Sequence, residues 1–134
     1  MRGTAFWFFF TATLYVAIGM IWGIVMAATD DHSLYPAHAH LNLVGWVTMA
    51  LFGVYYHLVP KAGEHWSAKL HFAVATAGVL IMVPGIVIAL EQAEDTLAKI
   101  GSILTLVSML IFVVNVWRSR AAAARAGVAA SIAE

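Results

Sequence analysis

Two histidines stand two residues apart in Pro36-Ala37-His38-Ala39-His40-Leu41-Asn42-Leu43-Val44-Gly45-Trp46, at the mouth of an apolar segment that runs on to Pro60. An ionisable side chain in or beside a hydrocarbon layer is costly, so it ordinarily faces a partner helix, a water-filled cavity, a metal or a cofactor. The chain has no cysteine, which removes disulfides, thiolate metal sites, iron–sulfur clusters and covalent haem attachment. Imidazole is the main ligand type that remains, and His38 and His40 are read as ligands of haem iron.

On a helix, a spacing of two separates side chains by about 200°, so the two imidazoles face nearly opposite ways and one helix cannot aim both at one metal. Following the helical period from His38 gives Asn42, Gly45, Met49 and Gly53, a small and polar stripe. Following it from His40 gives Val44, Val47, Leu51 and Val54, an aliphatic wall. A flat porphyrin fits either face: Gly45 permits close approach on one, and aliphatic side chains exclude water on the other. A ligating imidazole also needs an orienting partner for its second nitrogen, for which Asn42 or a loop carbonyl is a candidate.

The remaining histidines are weaker ligand candidates. His57 lies 17 residues beyond His40, roughly 25 Å along a helix axis, and belongs to the opposite membrane face. His57, His65 and His71 gather at that face in sequence, but their spacings fit no compact metal motif. His32 follows Asp30 and Asp31 and reads as a solvated loop residue. No nucleophile elbow, phosphate loop or paired intramembrane carboxylate is present, and every Asp and Glu falls in a loop or tail, which disfavours a proton-pumping transporter.

The elements that must position these residues follow from composition. Apolar residues make up 63% of the 134 and charged residues 10%, whereas soluble domains are roughly 45–50% apolar and about 25% charged. The mean hydropathy is strongly positive. Four apolar segments, 5–28, 38–59, 70–90 and 97–117, each hold about the 20 residues needed to cross a bilayer as a helix. The first is too long for a signal-peptide core and is kept as a helix. The expected fold is an all-α membrane protein, one four-helix transmembrane domain over 1–134, with 121–134 as a tail.

Charge sets the expected orientation. Arg2, Lys61, Lys69, Arg118, Arg120 and Arg125 fall on one side of a four-pass arrangement and only Lys99 on the other. Lys and Arg near helix ends stay in the cytoplasm, so both termini, with the tail, are expected there, in a bacterial inner membrane, and His38 and His40 near the outer face. Trp7, Tyr35, Trp66 and Trp117 lie near segment ends, where amphipathic rings favour the headgroup layer. Gly19-x-x-x-Gly23 is a candidate close helix contact, and Pro84-Gly85 a candidate bend. The lipid bilayer is the expected surrounding; no nucleic-acid partner is expected.

Ala37-His38-Ala39-His40-Leu41, Gly45 and Tyr55-Tyr56-His57-Leu58-Val59-Pro60 resemble helices of the catalytic subunit of the haem–copper oxidase superfamily, most closely its nitric oxide reductase branch. The similarity continues weakly through 72–80. In that family an H-x-H pair binds haem, its first member serving the high-spin haem and its second the low-spin haem, toward the outer face. The resemblance implies these roles for His38 and His40. The family subunit has twelve helices in three arcs of four, so a single four-helix chain of this kind implies a homotrimer. No separate histidine set for a second metal is visible, and copper is not expected.

In such a ring, His38 of one copy would face His40 of the next, giving three bis-histidine b-type haems. The expected function is a membrane-bound b-type cytochrome, in electron transfer or redox or gas sensing with an unknown donor or acceptor, and not an enzyme. Oxygen or nitric oxide reduction is the first alternative. A non-catalytic accessory or haem-handling subunit is the second.

Overall fold

The computed structural model describes the backbone of residues 1–133 and the side chains of residues 1–120. It is helical throughout, with four helices long and apolar enough to span a membrane, the build of a multi-pass membrane protein. These are α1 (Gly3–Thr29), α2 (Tyr35–Leu58), α4 (Trp66–Gln92) and α5 (Thr96–Ala133), with a short α3 (Pro60–Glu64) between the second and third spans.

All four spans start earlier than the apolar segments do. Hydropathy discards polar first turns, yet those turns are where helix starts are built. Pro36 sits in the first turn of α2, and Pro60 in that of α3, where a missing N–H costs nothing. The imidazole of His65 accepts from the backbone N–H of Ser67 and caps α4. The expected tail over 121–134 continues α5 to Ala133, and its side chains lie outside the described residues. Pro84 stands on an exposed face inside α4, which continues through it to Gln92.

Asp30 takes a left-handed conformation (φ 54°) and ends α1. In the following loop, the backbone N–H of Ser33 donates to Asp31 Oδ1 at 3.0 Å and holds that carboxyl below its usual range. This turn returns the chain into α2 alongside α1.

Helix α2 is not uniform. Between an α-helical start (Tyr35–His40) and an α-helical end (Met49–Leu58), residues Leu41–Thr48 form a π-helix. The hydroxyl of Thr48 donates to the carbonyl of Leu43, five residues back, at 2.9 Å. Wide turns of this kind are rare and favour functional sites. Hydropathy carries no signal for them.

Helices α1 and α2 pack side by side, and α4 and α5 form the second pair. Gly85 lies against the backbone of Leu97 and Ala98, and Gly101 against Met82, so α4 and α5 approach at backbone distance. The core is concentrated at the end of the bundle that carries α3. There Phe8 of α1, Phe52 and Tyr56 of α2, His71 and Phe72 of α4 and Phe112 of α5 form one aromatic cluster. Outward faces are apolar, with Ile24, Leu51, Leu80 and Leu106 all exposed, as lipid solvation requires. Trp7, Tyr35, Trp66 and Trp117 are each more than half exposed and are free to sit among headgroups.

Candidate functional site

The His38/His40 end of α2 lies at the opposite end of the bundle from the aromatic core. The two imidazoles diverge, as their spacing requires, and the structure assigns each a different environment. His38 is half-buried in the seam between α1 and α2, edge-on to Trp22 with ring centroids 6.1 Å apart. Gly23 leaves room for it: a Cβ there would stand 3.2 Å from His38 Cε1. Gly19 does the same for Asn42, whose side chain occupies the space a Cβ would need. The Gly19-x-x-x-Gly23 contact expected from the sequence is therefore real, and what it admits is His38 and Asn42.

The stripe below His38 is covered in the same way. Gly45 lies against Tyr15, where a Cβ would stand 3.1 Å from the ring, and Gly53 against the backbone of Ala5 and Phe9. Close approach on this face is made by α1, so the face that Gly45 was expected to offer a porphyrin is occupied within the chain. The His40 face stays open. His40, Val47, Leu51 and Val54 are exposed, but the expected wall is not continuous: Val44 is half-buried against the core, and the π-helical turns of Leu41–Thr48 break the α-helical register that joined these residues to His40.

The two rings also differ in their second nitrogens. His40 Nδ1 lies 2.7 Å from the carbonyl of Pro36. A carbonyl only accepts, so Nδ1 carries the proton and Nε2 presents a lone pair on the open face, the tautomer a metal-ligating imidazole needs. The orienting carbonyl comes from the first turn of α2. Asn42 serves His38 instead: its Nδ2 donates to the His38 carbonyl at 2.9 Å and lies 3.4 Å from His38 Nε2. His38 Nδ1 is buried and has no hydrogen-bond partner among the described residues. Thus the His40 ring is anchored through Nδ1 and exposed, whereas His38 is held by packing in the seam and by the 3.4 Å approach of Asn42.

At the other end, sequence spacing gave no hint of the polar chain that crosses the aromatic core. Ser67 Oγ donates to Asn115 Oδ1 at 2.6 Å, Asn115 Nδ2 donates to Tyr56 Oη at 2.8 Å, and the Tyr56 hydroxyl, free to donate, reaches His71 Nδ1 at 2.9 Å. His65 Nδ1 lies 2.8 Å from Ser67 Oγ, and Arg118 Nη2 lies 3.3 Å from His65 Nε2. His71 Nε2 is fully buried and, among the described residues, has no hydrogen-bond partner, with Phe8 and Phe52 centroids 4.9 and 4.5 Å from the ring. The ring is packed among the aromatic side chains of the core, with Tyr56 on its Nδ1.

His57 does not join this group. It is exposed in the last turn of α2 and lines a separate cavity of about 750 Å³ with Arg2, Glu64 and Lys69. His32 is exposed in the first loop, its Nδ1 4.0 Å from the Asp30 carboxylate. Among the described residues, no three His, Asp or Glu side chains gather closely enough to hold a metal ion. Comparison of the chain with family models, with curated proteins and with solved structures yields no match.

Proposed function

We propose that the protein is a membrane-bound b-type cytochrome in which His40 ligates haem iron at an interface between copies of the chain. The observation that carries this reading is the 2.7 Å hydrogen bond from His40 Nδ1 to the Pro36 carbonyl, which leaves the Nε2 lone pair of an exposed ring for a ligand. Neutral imidazole suits iron, and an oriented second nitrogen strengthens it as a ligand. Bound haem supplies a one-electron couple, for transfer or for sensing.

The residues of this chain hold, orient and shield. His40 would supply a ligating nitrogen, Pro36 fixes its tautomer, and the exposed Val47, Leu51 and Val54 would add apolar surface that keeps water away. One chain offers one anchored imidazole, so a second ligand would come from a neighbour. His38 of the next copy is that ligand in this reading, since among the described residues its Nε2 has only the long hydrogen bond to Asn42. The resemblance to a three-arc oxidase subunit supports three copies, and closed symmetry makes the three interfaces identical. Oxygen or nitric oxide reduction would need a second metal site, for which one chain gathers no ligand cluster among its described residues.

Native mass measurement in mild detergent tests the assembly: three chains carrying haem are expected, and a haem-loaded monomer overturns the shared site. The charge asymmetry supports cytoplasmic termini in a bacterial inner membrane, with His40 near the outer face. Because the chain lacks cysteine, single cysteines report sidedness cleanly. Ser33→Cys and Thr96→Cys are expected to label from outside sealed cells, and Glu64→Cys only after lysis. Ser33, Glu64 and Thr96 are all exposed, so a failure to label reads as sidedness and not burial.

A further inference from the structure

The end of the bundle away from His40 carries a cavity of about 470 Å³ between the close of α2, α3 and the facing parts of α4 and α5. One wall is apolar, from Leu58, Val59, Pro60 and Ala62, and Ser67 and Asn115 form a polar floor. Lys61, His65 and Arg118 stand at it, and among the described residues no carboxylate lines it. The larger cavity beside it, by contrast, contains Glu64 with its cations.

Neither Lys61 nor Arg118 is in an ion pair among the described residues, where the pairs are His32–Asp30 and Lys99–Asp95. Arg118 Nη2 lies 3.3 Å from His65 Nε2, but His65 Nδ1 accepts from Ser67, so Nε2 carries the proton and the roughly five donors of the guanidinium stay available for a ligand. Ser67 and Asn115 are already committed to the buried network, so the unspent capacity of the cavity is cationic donors over an apolar wall. It also opens where spans end, at the depth of headgroups.

We propose that this cavity binds the phosphodiester headgroup of an anionic membrane phospholipid, with Lys61 and Arg118 on the phosphate and an acyl chain along Leu58 and Val59. Single-sign charge selects an anionic over a zwitterionic headgroup, and basic pockets between membrane helices are suited to this chemistry. The site is independent of haem: none of its residues touches His38 or His40, and it is tested on haem-free protein.

Full-length protein in neutral detergent is incubated with an equimolar mixture of phosphatidylglycerol and phosphatidylcholine, and retained lipid is read by native mass spectrometry. Phosphatidylglycerol is expected to predominate. Its excess over phosphatidylcholine should fall about fivefold in Lys61→Gln or Arg118→Gln and about thirtyfold in the double variant, the scale of one interfacial cation each. Arg120→Gln, which removes the same charge from the same helix outside the cavity, should leave the excess unchanged. Equal retention of both lipids by the natural protein, or an undiminished excess in the double variant, overturns the proposal. So does full competition by soluble glycerol phosphate at the lipid concentration, which would identify a phosphate site without a lipid tail.

Discussion

His40→Ala is expected to abolish haem binding, whereas His38→Ala is expected to retain haem but convert it from a low-spin to a high-spin, carbon-monoxide-binding form. The asymmetry follows from the second nitrogens. His40 Nδ1 is anchored on the Pro36 carbonyl at 2.7 Å, so its Nε2 is aimed before any ligand arrives. His38 Nδ1 is buried without an acceptor among the described residues, and the ring must leave the Trp22 and Gly23 seam to serve a neighbour. Losing the anchored ligand removes the site, and losing the recruited one opens a coordination position. Outer-shell partners of ligating histidines are worth about 10–100-fold in affinity. Absorption of the purified variants at equal protein concentration checks this. Intact low-spin bands in His38→Ala would remove His38 from the coordination sphere, and full haem in His40→Ala would remove the basis of the whole assignment.

The second large effect is on stability. Tyr56 is 1% exposed and bridges α2 to both α4 and α5, accepting from Asn115 and donating to His71. Tyr56→Phe keeps the ring among Phe8 and Phe112 but strands both partners. Hydrogen bonds between membrane helices contribute about 1–2 kcal/mol each in model peptides, so a loss of about 2–4 kcal/mol is expected. Asn115→Leu cuts the same chain one link earlier. Because the two substitutions share a network, the double variant should cost less than the sum of the singles. Unfolding midpoints in detergent measure all three. Additive losses would mean that the chain does not act as a unit.

What could be read from the sequence is divided by range. Four spans were legible because hydropathy is a local property, and Gly19 and Gly23 because four residues is one helical turn. The opposed faces of His38 and His40 were legible for the same reason. Which face α1 covers was not, since that depends on where Tyr15, Trp22 and the two glycines meet α2. The polar network was invisible because its members come from three helices, with 59 residues between Tyr56 and Asn115. Tyr56, His71 and Asn115 each stand in an otherwise apolar stretch, but nothing in their spacing joins them. The π-helix over Leu41–Thr48 leaves no mark on composition, although it turns the helix directly beneath His40.

The central claim is that His40 belongs to a haem shared between copies, and the reduced-minus-oxidised absorption spectrum of the natural protein, purified from a membrane in which haem is available, tests it most directly. The account predicts sharp low-spin b-type bands with about one haem per chain and little response to carbon monoxide. Protein that is folded and oligomeric but carries no haem would contradict it.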